Sequence, residues 1–354
     1  MHRHDRKGEH LKAALKVPAG PLESGFDDVH LVPRCVPELS EAEVDSTIEL
    51  FDKRLSFPVI INAMTGGTKE TGEINRALAE VASSAGVGLA VGSQRIALES
   101  PEVSPTFRVV REVMPRGLVI ANIGADCAVE EARRCVDMLE ADALQIHLNA
   151  AQELAMKEGD RGFAGWLRSI EAVCSSLEVP VIAKEVGFGI DFSSASLLRE
   201  AGVAAIDVGG AGGTNFVAIE DYRSPDGVNA SLFSWGMSTV TSLVETRCAV
   251  DGTLPVIASG GVRSGLDVAR AIALGAACVG MAGPLLKALS DGGQAALDAE
   301  LDSICRGLLR VMILTGSRDI AALANAAVVV RGPSGAWLER RGFGRVLDEM
   351  ARRR

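Results

Sequence analysis

The ten residues QIHLNAAQEL, 145–154, begin as a buried strand and then carry groups that a strand core has no use for. Alternate residues of a strand share a face, so Gln145, His147 and Asn149 point one way and Leu144, Ile146 and Leu148 the other. Gln152 and Glu153 follow at once. An amide, an imidazole and a second amide on one face, followed by a third amide and a carboxylate, suit a polar pocket, with Glu153 as the single carboxylate on a hard, oxygen-preferring divalent ion. Read alone, Glu153 is equally the negative charge that a helix N-terminus favours. Two glycine-rich stretches, SGGVRSG (259–265) and GMAGPLL (280–286), have the composition that lets backbone N–H groups approach a phosphate ahead of a helix. Gly260 and Gly261 could also be no more than a tight turn. Lys184 sits in the apolar run VPVIAKEV (179–186), where an ammonium needs a negative partner. The candidates are a Schiff-base carbonyl, a carboxylate such as Asp207 or Glu185, or the electron-rich edge of a flavin.

Groups so far apart in the chain need a scaffold that gathers them. Eight short apolar runs recur, at 58–63, 87–92, 118–123, 142–148, 179–186, 203–210, 254–261 and 277–283. Segments of helical period such as EINRALAEVASSAG and GLDVARAIALG lie between them. Continuous apolar strands alternating with helices read as parallel β/α units, and eight of them predict an α/β protein of the (β/α)8 TIM-barrel class. The expected organisation is a single domain: an N-terminal extension (1–57) that contributes to the site, the barrel (58–290), and a C-terminal helix and tail (291–354). In such barrels function gathers at the C-terminal ends of the strands. Each predicted end is indeed polar or glycine-rich, and Ser93, Asn122 and Thr214 there suit the uncharged rim of a planar heterocycle. Residues 211–253, including EDYRSPDGVNASLFSWG, form a long excursion over one mouth of the barrel.

Composition narrows the partners. The net charge of −10 argues against nucleic acid. Seven scattered cysteines with no CxxC argue against a disulfide frame or a zinc site. No apolar run has the length of a signal peptide or a membrane span. A cytoplasmic protein with a small-molecule ligand is the expectation.

NAMTGGT, AVGSQR, QIHLNAAQE, GDRGF, AKEVGFG, DVGGAGGTNF, SWG and ASGGV, in this order, resemble the type 2 isopentenyl diphosphate isomerases. The resemblance runs from RKGEH to GMAGPLLKAL, about four-fifths of the chain. It implies an FMN-dependent enzyme that interconverts isopentenyl and dimethylallyl diphosphate, kept reduced by NADPH, needing Mg²⁺, and assembled as a homo-oligomer (tetramer or octamer). By the resemblance, Ala63, Met64, Thr65, Ser93, Asn122, Lys184 and Thr214 hold the flavin ring and ribityl chain. Gly260, Gly261, Val262, Arg263, Ala282 and Gly283 hold its phosphate. Arg6, Lys7, Ser93, Gln94 and Arg95 take the substrate diphosphate, with His10, His147 and Asn149 beside it. Gln152 lies at the allyl end, with a catalytic role shared with His147, and Glu153 ligates Mg²⁺. Taken alone, RHDRKGEH is only a charged helix start. Two alternatives stand beside this reading. A 2-hydroxy-acid oxidoreductase would need a His and an Arg after strand six, where this chain has Ala211-Gly212-Gly213-Thr214. A non-catalytic flavin-binding barrel would need neither Gln152 nor Glu153.

Overall fold

The computed structural model describes residues 3–224 and 229–353, without the side chains of residues 3–7, 11 and 12. Eight parallel strands close into a barrel in sequence order: β1 (Val59–Ile61), β2 (Gly88–Ala90), β3 (Val119–Gly124), β4 (Ala143–Leu148), β5 (Val181–Glu185), β6 (Ala205–Asp207), β7 (Val256–Ser259) and β8 (Cys278–Met281). Their registers run continuously round the ring, with β8 pairing back onto β1 through Val279 and Val59. This is the TIM barrel that the spacing predicts.

The period of two along each strand divides the side chains cleanly. Val59, Ile61, Val119, Ala121, Leu144, Ile146, Val181 and Ala183 face outward into the core shared with the helices. Ile60, Ala90, Ile120, Ala143, Ile182, Ala205, Ile257 and Cys278 fill the interior instead. A hairpin of two strands, Ile48–Leu50 and Lys53–Leu55, caps that interior from the N-terminal end, with Leu50, Leu55 and Phe51 packed into the same apolar layer. Lys53 Nζ lies 3.0 Å from the carboxylate of Asp142, the residue before β4, so the hairpin is pinned to the bottom of the barrel.

Two residues further along, six of the eight strands change the character of the interior. Ile60, Ile120, Ala143, Ile182, Ala205 and Ile257 are followed at that spacing by Asn62, Asn122, Gln145, Lys184, Asp207 and Ser259. All six of these polar side chains are buried. The barrel is therefore oily at the bottom and polar at the top.

Helices surround this cylinder, and four of them bear on the site. Helix α1 (Arg3–Lys16) lies at the mouth, α2 (Ala150–Ala155) follows β4, α3 (Phe216–Arg223) follows β6, and α4 (Gly283–Thr315) follows β8. Helix α4 is broken at Gly293, whose φ of 68° and ψ of −161° are non-helical. The tail is more than a trailing helix. Its strand Val328–Val330 pairs antiparallel with Val29–Leu31, and its helix Gly332–Arg340 brings Trp337 Nε1 within 3.0 Å of Glu245. The excursion after β6 packs back on the mouth, where Asn229 Nδ2 donates to the carbonyl of Ala155.

Candidate active site

A cavity of about 1040 Å³ opens at the C-terminal ends of the strands. Into it the fold brings Ala63, Met64, Thr65, Ser93, Arg95, Asn122, His147, Asn149, Gln152, Glu153, Lys184, Thr214, Gly260, Gly261, Val262, Arg263, Ala282, Gly283 and His10. Two expectations cannot be placed: the side chains of Arg6 and Lys7 lie outside the described residues.

One expectation is corrected. Gln94 was expected to meet the substrate diphosphate, but its side chain is fully buried outside the cavity. Its Oε1 accepts from the amide of Asn122 and its Nε2 donates to the carbonyl of Cys135. Beyond the end of β2 the strand alternation no longer applies, and Gln94 turns outward into the seam between barrel and helices. Its neighbour Arg95 does reach the cavity, yet Arg95 Nη2 is already 2.6 Å from Asp126 Oδ1. An incoming anion would share that guanidinium with a carboxylate.

The floor of the cavity is the polar layer, organised around Asp207. Its Oδ2 lies 3.1 Å from Lys184 Nζ, accepts from Asn62 Nδ2 at 2.8 Å, and lies 3.4 Å from Gln145 Nε2. Its Oδ1 accepts from the Ser259 hydroxyl and the Gly209 amide. Lys184 Nζ also donates to Ser259 Oγ at 3.0 Å. Of the two carboxylates open to Lys184, the structure selects Asp207. Glu185 points to the other side of β5, where its carboxylate accepts the amides of Phe188 and Gly189. Burial pushes the Glu185 carboxyl up to about 8, against the lowering effect of those amides. An ammonium has three protons, and Asp207 and Ser259 account for two of those on Lys184. Among the described residues, one N–H thus remains for whatever lies on the floor.

One wall is built by the end of β4 and α2. Asn122 Oδ1 is 2.8 Å from His147 Nδ1. Glu153 is clamped from both sides: Oε1 accepts from Asn149 Nδ2 at 2.8 Å and Oε2 from the amide of Asp160 at 3.0 Å. Arg161 ties the turn beneath, donating to the carbonyls of Glu153 and Met156. Among the described residues no three His, Cys, Asp or Glu side chains come together as a closed metal site. A metal here would have one protein carboxylate and would complete its shell with water and ligand oxygens, which suits Mg²⁺.

Gln152 leads to a residue that sequence reading missed. Its Nε2 donates to Glu220 Oε1 at 2.8 Å, and His10 Nε2 of α1 lies 2.8 Å from the same oxygen. Glu220 Oε2 accepts from Arg223, one turn further along α3. Burial alone would raise the Glu220 carboxyl, but His10, Gln152 and Arg223 outweigh it and hold the group below its ordinary value. Arg223 also meets Glu9 and Glu158, so α1 is fastened to α3 by the Glu9–Arg223 ion pair and by the approach of His10 to Glu220. In sequence Glu220 reads as one of three charges in EDYR, and only its spacing of three from Arg223 hints at a pair.

The opposite wall is backbone. Gly260 (φ 106°) and Gly261 (φ 72°) follow β7, and a Cβ on Gly260 would lie 1.9 Å from the carbonyl oxygen of Gly210. Only glycine lets the loops after β6 and β7 stack at this distance. Arg263 Nη2 braces them by donating to the carbonyl of Gly212 at 2.7 Å. The helix that follows, Gly265–Ala273, carries a capping box between Ser264 and Asp267.

Comparison with known proteins agrees with this architecture. Residues 116–330 match the family described as FMN-dependent dehydrogenase. Among solved structures, a Pediococcus acidilactici lactate oxidase superposes with a TM-score of 0.68 at 16% identity, covering 93% of each chain. A mandelate oxidase gives 0.65 at 19%, over 93% of this chain and 99% of that one. Likeness at that identity speaks for the barrel alone. Full-length relatives are far nearer. The isopentenyl-diphosphate delta-isomerase of Moorella thermoacetica is 49% identical over 336 residues, 95% of this chain and 96% of its own. That of Bacillus licheniformis is 47% identical over 343 residues, 97% of each, and that of Archaeoglobus fulgidus 44% over 345 residues, 95% of this chain and 99% of its own. With that identity running across the whole barrel, its N-terminal extension and its tail, this chain belongs to the isopentenyl-diphosphate delta-isomerase family.

Proposed function

We propose that this protein interconverts isopentenyl and dimethylallyl diphosphate, using FMN on the barrel floor and Mg²⁺ at Glu153. The observation that supports it most is the division of one cavity. A floor with a spare Lys184 N–H and a stacked glycine wall faces a wall bearing His147, Gln152 and Glu153. The floor and glycine wall fit FMN: Lys184, Asn122, Ser93, Thr65 and Thr214 for the ring and ribityl chain, Gly260 to Arg263 with Ala282 and Gly283 for the phosphate. The clamped carboxylate of Glu153 fits a hard cation that keeps most of its waters.

Shifting a double bond by one carbon requires a proton to be added at one end and another removed nearby. Bound reduced FMN would supply that proton donor and acceptor, with NADPH as the reductant that keeps it reduced. The chain's own residues orient and shield. Gln152 gives its N–H to the ionised Glu220, which leaves its carbonyl as the group to face the hydrocarbon end. Glu153 holds the metal against the diphosphate, and Arg95 and His147 lie along the same side. Helix α1 and the turn after it line the cavity mouth with Leu15, Val17 and Pro18. The oxidoreductase alternative lacks its His and Arg, since Ala211 and Thr214 stand in the loop after β6. Assembly as a tetramer or octamer belongs to the same proposal and is read by sedimentation.

The test is direct. Denaturing the purified protein should release FMN, and after anaerobic reduction it should isomerise isopentenyl diphosphate only with Mg²⁺, without stoichiometric NADPH oxidation. Release of FAD, or consumption of NADPH in step with product, would end this reading.

A further inference from the structure

The hydrogen bonds of the floor all run in one direction, and that direction decides where the proton on His147 sits. We propose that Asp207, acting through Asn62, Gln145 and Asn122, is a positioning group that holds neutral His147 as its Nδ1–H tautomer.

An ionised carboxylate only accepts. Asp207, fully buried with Lys184 beside it, therefore draws the NH2 of Asn62 towards it at 2.8 Å. That turns Asn62 Oδ1 the other way, where it accepts the backbone amide of Ala63, which can only donate. The same Oδ1 accepts from Gln145 Nε2 at 3.2 Å. Gln145 Oε1 is thereby left to accept from Asn122 Nδ2, also at 3.2 Å. Asn122 has now turned its NH2 towards the carboxylate and presents Oδ1 to His147 Nδ1 at 2.8 Å. An amide oxygen has no proton to give, so Nδ1 must carry one. Reversing any link would set donor against donor or acceptor against acceptor inside the barrel, where Asn62, Asn122 and Gln145 are at most 3% exposed.

The consequence lies at the other ring nitrogen. Nε2 holds the lone pair of the neutral ring, and it is the position that gains or loses a proton. The ring can pass from acceptor to cation in place, because the Nδ1–H bond to Asn122 serves both states. A side chain facing an anionic group gains from this, since no rotation accompanies the change of charge. The inference concerns the barrel's own side chains and does not depend on which ligand the cavity takes.

Histidine-selective ¹⁵N NMR reads the tautomer. The chain has five histidines, and His147→Gln identifies the signal. With its ring neutral, wild-type His147 should show a protonated Nδ1 and an unprotonated Nε2, in at least about tenfold excess over the other tautomer, as one buried hydrogen bond allows. Gln145→Met cuts the chain but leaves Asn122 in place, and the ratio should fall to within about twofold of parity. Adding Asn122→Asp in that background should restore Nδ1–H, because a carboxylate cannot donate. A wild-type proton on Nε2, an unchanged ratio in Gln145→Met, or no restoration by Asn122→Asp would each overturn the assignment. The wild-type measurement decides the first of these even if a variant does not fold. Loss of isomerase activity alone bears on the proposed function and not on this chain of bonds.

Discussion

Replacing Glu153 with glutamine tests the metal assignment without disturbing the rest of the cavity. Both carboxylate oxygens already accept a bond, one from Asn149 Nδ2 at 2.8 Å and one from the Asp160 amide at 3.0 Å. A glutamine must turn its NH2 towards one of these donors, so one bond is lost, at about 1 kcal/mol. That cost falls on the turn and leaves FMN binding alone. The charge matters more. A charge-assisted contact contributes roughly 1.5–3 kcal/mol, so Mg²⁺ affinity in the presence of the diphosphate should fall about ten- to a hundredfold. Calorimetric titration of Mg²⁺ into the protein with isopentenyl diphosphate measures it, alongside the Mg²⁺ dependence of turnover. Raising Mg²⁺ should recover part of the lost rate, and released flavin per protein should match the wild type. If Glu153→Gln turns over slowly with an unshifted Mg²⁺ dependence, the carboxylate is a brace for the turn at Asp160 and holds no metal.

Three further outcomes are expected. Lys184→Met strands the Asp207 carboxylate, so unfolding in urea should show a loss of about 3–5 kcal/mol, and adding Asp207→Asn should recover much of it; an additive pair of effects would refute the ion pair's role. Glu185 keeps its proton to about pH 8 in the folded chain and loses it near pH 4.5 when unfolded, so the folded state binds the extra proton between those values. Its contribution therefore weakens as pH rises through that window, by roughly a few kcal/mol, and Glu185→Gln should flatten the decline in a pH series of thermal melts; an identical pH slope in wild type and variant would count against it. Gly260→Ala forces a Cβ to within 1.9 Å of the Gly210 oxygen at a φ of 106°, so it should cost at least ~2 kcal/mol and loosen FMN, as read by flavin retention on gel filtration; unchanged retention would show that the two loops can part freely.

Much of this was legible in the sequence because a parallel barrel writes itself plainly. Its strands are buried on both faces, so runs such as LVIANI and VPVIAKEV stand out with no alternation to decode. The polar layer was half legible. Asn122, Gln145, His147 and Lys184 interrupt apolar runs and draw the eye, whereas Asp207 looked like a partner of Lys184 at most, because its importance lies in bonds to strands far away in the chain. Gln94 misled because the resemblance places it in a motif and says nothing of which way its side chain turns beyond the end of β2. Glu220 was hidden for a different reason: a carboxylate on a helix, three residues before an arginine, is the commonest of surface patterns. Only the folding of α3 against α2 and α1 buries it.

The hairpin that closes the bottom of the barrel has a kinetic corollary. With Leu50, Phe51 and Leu55 backing the side chains that fill the barrel interior, the described residues leave the cavity no route through the bottom, and its traffic passes through the mouth. A cofactor seated on the floor must load first and leave last, and a diphosphate above it blocks its exit. Flavin dissociation should therefore slow as substrate saturates, and substrate added to flavin-free protein should delay reconstitution. Loading would follow a compulsory order, imposed by a plug that touches neither ligand.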